Sequence, residues 1–171
     1  MNLKTLVSAF FYPETRTKLE AMGRIDPECR FAEFGNAEAE IPLPFLRFDE
    51  YAEVLASFDA NVVRGENSAV KAILAGKPFL WDFYKEKNGA HAAKIEDFLL
   101  FTEPFFERRE DFQTYAEATR AFNSDVFGKP EIETCLKILV RPSPETLRAF
   151  ASMGKEVSER DMTKRILSEI G

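Results

Sequence analysis

The stretch NVVRGENSAVKAILAGKPFLWDFY, residues 61 to 84, carries a β-branched pair into a glycine loop, a short helical run and a block of aromatics. Asp59 to Val63 reads as a brief strand and Pro78 to Tyr84 as a strand of bulky residues. Between them, Ser68 to Ala75 reads as a helix closed by Gly76, since glycine accepts the left-handed backbone that ends helices. Working backwards, Asp49 to Phe58 sets Tyr51, Val54, Leu55 and Phe58 on one helical face. Ile41 to Leu46 is too rich in proline for a central strand and reads as a strand or loop feeding that helix. Cys29 to Phe34 alternates imperfectly, as a short half-buried strand does, and Gly35-Asn36 turns it. Glu14 to Met22 is a helix expected to stop at Gly23, and Leu3 to Tyr12 an apolar first strand halted by Pro13.

The order β, α, β, α, β, α, β predicts an α/β fold: a Rossmann-like, mostly parallel sheet flanked by helices, with ligands bound outside the carboxyl ends of the strands. After Gly89 the texture changes to helices at 90–106, 110–122, 131–139, 145–153 and 158–170, broken by Pro, Gly and Asn. At 171 residues the chain is expected to form one domain, with residues 1–88 alternating and 89–171 mainly helical.

Composition narrows the function. A net charge of −6 opposes the phosphate neutralisation on which nucleic-acid affinity depends, so nucleic acid is excluded as a partner. No apolar run has the eighteen or so residues of a membrane span, and the apolar part of the opening segment is too short for a signal peptide. Cys29 and Cys135 lie in no Cys-x-x-Cys or Cys/His array, which points to neither a disulfide framework nor a metal site and fits a reducing cytoplasm.

The loop 64–68 admits two readings. Asn67 or Ser68 caps the following helix, with Arg64 and Glu66 in solvent. Alternatively the unpaired amides of the helix start, with the planar donor fork of Arg64 beside them, face an anion such as a diphosphate. No Walker or GxGxxG pattern is present to decide between them.

Spacing over a longer range adds a resemblance. Pro44-Phe45-Leu46, Asp49-Glu50-Tyr51, Asp59-Ala60-Asn61, Arg64-Gly65-Glu66-Asn67-Ser68, Ala75-Gly76-Lys77-Pro78-Phe79, Trp81, Tyr84 and Gly89-Ala90-His91 keep the order and gaps of the carboxyl-terminal half of the protein-arginine rhamnosyltransferases that modify bacterial elongation factor P. The similarity starts at Ser8-Ala9-Phe10-Phe11-Tyr12 and fades after Phe122-Asn123. That family resembles the two-lobed, GT-B-type glycosyltransferases that need no metal. The resemblance implies that this chain corresponds to the lobe holding dTDP-β-L-rhamnose, with elongation factor P as acceptor and a separate amino-terminal lobe as partner.

By position, the resemblance places Tyr51 and Tyr84 around the base and Phe10 and Tyr12 along the sugar and phosphate side. Arg64, Asn67 and Ser68 fall on the diphosphate, and Glu66 at the transferring centre as the catalytic carboxylate. The chain departs from the family's Arg-Gly-Glu-Asp-Ser at Asn67, from its polar base readers at Phe48 and Asp49, and from its Trp-His-x-Tyr-Pro-Gln stretch at Asp82 and Lys85-Glu86. A guanidinium acceptor is always protonated, so Glu66 alone is not expected to turn substrate over, and the family's key aspartate lies in the other lobe. The alternative expectation is a non-catalytic nucleotide-binding or protein-interaction module derived from such a lobe.

Three further features are read locally. His91, the sole histidine, stands at a helix start and reads as a cap or a phosphate-side residue. Phe98, Phe101, Phe105 and Phe106 follow helical spacing and read as core or as a face for the other lobe, and Glu107 to Asp111 as a solvated connection.

Overall fold

The computed structural model describes residues 5–10, 12–47, 50–87 and 89–160, with the side chain of Phe10 outside the description. Five strands, β1 (Thr5–Phe10), β2 (Cys29–Phe34), β3 (Ile41–Leu43), β4 (Ala60–Val63) and β5 (Phe79–Trp81), form one sheet in the order β3-β2-β1-β4-β5. Every neighbouring pair is parallel, with Val7 opposite Ala60, Val62 opposite Leu80 and Phe34 opposite Leu43. The expected α/β class holds. β4 is buried at all four positions, because helices cover both faces of a parallel sheet and leave no polar side to alternate with. β3, the strand with Pro42, lies on the sheet edge, where a missing N–H interrupts no ladder.

The chain runs outward from β1 through β2 to β3, then returns to place β4 on the other side of β1 and β5 beyond it. The segments leaving β1 and β4 therefore diverge, and their carboxyl ends bound a crevice. A polar pair bridges the two strands: the Ser8 hydroxyl donates to Asn61 Oδ1 at 2.6 Å, and the Asn61 amide donates to the Leu55 carbonyl at 3.3 Å. Both residues are buried in facing register.

Helices α1 (Pro13–Ile25), α2 (Tyr51–Ala56) and α3 (Glu66–Ala75) connect the strands. Gly23 does not end α1 as expected. The helix runs on to Ile25, with Arg24 favouring its negative carboxyl end. Gly76 does close α3, at φ 67°.

The second half comprises α4 (Ala90–Thr102), a 3₁₀ turn (Glu103–Phe105), α5 (Arg109–Phe122), α6 (Lys129–Leu139) and α7 (Pro144–Glu159). The single helix expected over 90–106 is broken because Pro104 cannot donate to the helical ladder. The phenylalanine stripe splits accordingly. Phe98 is buried against Phe79, Trp81 and Phe83, and Phe106 turns toward Tyr115 and Phe150, while Phe101 stays exposed beside Phe105. Of the helix expected from 158 to 170, Ser158 and Glu159 belong to α7, and the part beyond Arg160 lies outside the described residues.

These helices share one core with the sheet. Phe150 of α7 meets Phe79 of β5 at 5.5 Å and Tyr115 of α5 at 5.1 Å between ring centroids. α7 runs close against α3 at Gly154, where an added Cβ would stand 2.6 Å from the Ile73 carbonyl oxygen and 3.1 Å from Gly76 Cα. We expect Gly154→Ala to force α7 off α3 at a cost of about 1–3 kcal/mol, lowering the thermal midpoint by roughly 2–10 °C. Gly23 has only Phe31 Cε2 at 3.8 Å in the Cβ direction, so Gly23→Ala is expected to raise stability by about 0.5–1 kcal/mol through reduced backbone freedom in the unfolded chain. Calorimetric melting of the two variants, with shifts of opposite sign, checks both.

Candidate functional site

β4 delivers Val63 to the crevice, and the chain turns through Arg64 and Gly65 into α3. The N-cap is Gly65 and not Asn67 or Ser68, which sit inside the first helical turn because α3 begins two residues earlier than its apolar pattern suggests. No side chain caps α3, and the first recorded backward bond is that of Ala69 N–H to the Gly65 carbonyl at 2.9 Å. The amides of Glu66, Asn67 and Ser68 therefore have no acceptor within the helix. Gly65 has φ −77°, so no left-handed backbone requires glycine, and nothing lies nearer than Ser68 Oγ at 4.0 Å in its Cβ direction. α1 starts in the same way after Tyr12, with Pro13 in its first turn and no side-chain cap. Two positive helix ends thus open on one crevice.

Arg64 is held between them. Its guanidinium carbon is 4.4 Å from the Tyr12 ring centroid and 4.7 Å from that of Tyr84, and the two phenol oxygens meet at 3.3 Å. That hydroxyl contact, followed by partial burial, raises the Tyr12 pKa above its ordinary value. One terminal nitrogen of Arg64 donates to Glu14 Oε2 at 3.1 Å. Its Nε is buried without a hydrogen bond, 4.0 Å from Asp82 Oδ2, and the Arg64 side chain is only 14% exposed. Asp82 is buried and accepts from the Thr15 hydroxyl, and Trp81 Nε1 donates to the Arg64 carbonyl at 2.7 Å. A recess of about 280 Å³ lies here, lined by Glu14, Lys18, Arg64, Asp82, Phe83, Tyr84 and Lys85. Burial lowers the Lys18 pKa; its ammonium donates to the Phe122 carbonyl and sits 4.8 Å from the Phe122 ring centroid.

On the other flank of the loop a recess of about 200 Å³ is lined by Phe34, Phe45, Leu46, Tyr51, Asn67, Ser68 and Lys71. Tyr51 packs edge-on against Phe34 at 5.3 Å, and burial lifts its phenol pKa against a smaller opposing hydrogen bond with Ser68. Tyr51 and Tyr84, expected to face one base together, line different recesses, Tyr84 being engaged by Arg64 and Tyr12. The structure brings Tyr12, Arg64 and Tyr84 together on one side and Tyr51, Asn67 and Ser68 on the other. Glu66 is exposed at the start of α3. Phe48, Asp49 and the Phe10 side chain lie outside the described residues. His91 stands inside the first turn of α4, whose N-cap is Gly89, and caps nothing.

Glu14, Lys18 and Asn123 had no sequence signal as site residues, since their contacts span 40 to 104 positions. Asn123 fixes the segment carrying Tyr84. Its amide donates to the Trp81 and Thr119 carbonyls, each at 2.8 Å, and its oxygen accepts from Phe83 N–H at 2.9 Å.

The chain is similar to known proteins along most of its length. The model of the family described as elongation-factor P (EF-P) rhamnosyltransferase EarP matches residues 16–168. The protein-arginine rhamnosyltransferase of Pseudomonas aeruginosa is 47% identical over 57 residues, 33% of this chain and 15% of that protein. That of Neisseria meningitidis is 32% identical over 88 residues, 52% of this chain and 22% of the relative. A solved structure described as the structural basis for EarP-mediated arginine glycosylation of translation elongation factor EF-P superposes with a TM-score of 0.70 at 21% identity, a likeness of fold. It covers 98% of this chain, which spans 60% of that one.

Asn123→Ala leaves a buried N–H and a carbonyl without partners, and we expect it to cost about 1–3 kcal/mol in urea unfolding.

Proposed function

The chain belongs to the EarP family of EF-P rhamnosyltransferases, and from that premise we propose that its crevice holds the sugar-nucleotide donor of an arginine rhamnosyltransferase, of the dTDP-β-L-rhamnose type. The observation that carries this reading is the convergence of Arg64 with two uncapped helix ends at the point where β1 and β4 part. The diphosphate lies across the amides of residues 66–68, taking charge-assisted bonds from Arg64 and further contacts from Asn67 and Ser68. The apolar recess of Phe34, Phe45 and Tyr51 suits a flat base beside them. The sugar then faces Tyr12 and Tyr84.

Among the described residues no group of three or more His, Cys, Asp or Glu is placed to hold a metal. In this reading the charge of the leaving diphosphate falls to Arg64 and the helix dipoles. Glu66, exposed at the mouth, is positioned to anchor the arginine acceptor, whose guanidinium stays charged. The chain spans 60% of the solved relative, and we assign acceptor binding and the remaining catalytic carboxylate to the part of such an enzyme that the match does not cover, with EF-P as the protein acceptor. No helix among the described residues is long and apolar enough to cross a membrane, and the two buried free thiols suit a cytoplasmic setting.

Titration calorimetry with dTDP and UDP tests the donor reading. The wild type is expected to bind dTDP, and Arg64→Ala to weaken it roughly 10- to 150-fold, the worth of a hydrogen bond to a charged group. Tyr84→Ala is expected to weaken it less. Absence of heat with either nucleotide on the wild type removes the reading.

A further inference from the structure

We propose that Glu14 is an internal competitor for the anion site: its carboxylate occupies the edge of Arg64 that a diphosphate would take, and it swings into solvent when the ligand arrives. This rests on the donor reading above and concerns the regulation of that same site.

The geometry separates two carboxylates that share one guanidinium. Tyr12 and Tyr84 crowd one side of the Arg64 guanidinium, their ring centroids 4.4 and 4.7 Å from its carbon and 6.3 Å from each other, and two carboxylates stand at its edges. The Nε edge looks at Asp82, which is 8% exposed and held by the Thr15 hydroxyl; it cannot leave without abandoning a buried bond. The terminal edge is taken by Glu14, whose side chain is 76% exposed. Glu14 sits in the first turn of α1, where the helix dipole favours its charge with or without Arg64. Leaving the ion pair therefore costs it little, and water solvates it at once. Asp82 stays as a fixed counter-charge, so the arginine is partly neutralised even after Glu14 has moved. The site is thus shut to simple anions and opens to one that also reaches the α3 amides.

The discriminating measurement is calorimetric titration of the full chain with inorganic pyrophosphate and, separately, with dTDP, on wild type, Glu14→Gln and Glu20→Gln. Glu20 is exposed on the same helix and pairs with Arg16, so its variant changes net charge equally without touching Arg64. Glu14→Gln is expected to bind pyrophosphate about three- to fivefold tighter than wild type, the worth of an exposed ion pair removed as a competitor, with Glu20→Gln unchanged. Equal affinities for wild type and Glu14→Gln overturn the competitor, as does equal tightening by both variants, which would be a bulk charge effect. Tighter pyrophosphate binding by Glu14→Gln with no added affinity for dTDP keeps the competitor and removes the nucleotide reading. No binding of either probe by any of the three proteins overturns both.

Discussion

Two parallel strands that sit side by side and send their chains to opposite ends of a sheet must leave a gap beyond their carboxyl ends. Here those strands are β1 and β4, and their buried Ser8–Asn61 bridge fixes the spacing. Everything at the site hangs from that pairing. Tyr12 follows β1 by two residues and Arg64 follows β4 by one, so the register that sets Ala9 opposite Val62 also sets the tyrosine ring against the guanidinium. The polar bridge lies in a buried sheet, where an unpaired amide would be costly, and this penalises any slip of one strand past the other.

What the sequence reveals and conceals follows from the range of each signal. The β-branched pair that ends the buried β4, Pro42 on an edge strand and Gly76 at a helix end are local statements about burial, donors and φ, and all three are legible in a few residues. Gly23 misleads because glycine marks several backbone states alike, and here it lies inside a helix, while Gly65 caps one at a negative φ that any residue can adopt. The Asn67 and Ser68 pair is a good capping signature that goes unused, and the same amides a cap would satisfy remain free for a ligand. No local rule separates those outcomes, since both draw on the same helix start. Glu14 and Asn123 were invisible for a different reason. Their partners at the site, Arg64 for Glu14 and the Trp81–Phe83 segment for Asn123, lie 40 or more residues away, and only the packed fold brings them near.

The helical second half explains why the site is stiff. Trp81 and Phe83 stack at 4.3 Å and lean on Phe98, while Asn123 clasps the backbone between them from α5. Tyr84 is therefore carried on a segment pinned at both flanks. Arg64 is fixed in turn through the Trp81 indole on its carbonyl. A guanidinium stacked and anchored in this way has already lost most of its rotamer freedom, so an arriving anion does not have to order it again.

Charge placement completes the argument. Against the Arg-Gly-Glu-Asp-Ser pattern of the family, this chain lacks a carboxylate at position 67, in the first turn of α3, and gains one at Asp82 behind Arg64. Asp82 acts from the buried side, orienting Nε and tempering the arginine's field while leaving the amides of residues 66–68 clear. In the proposed donor reading, selectivity then rests less on raw charge than on contacts with the backbone and the aromatic recess, terms that depend on ligand shape and are screened less by salt.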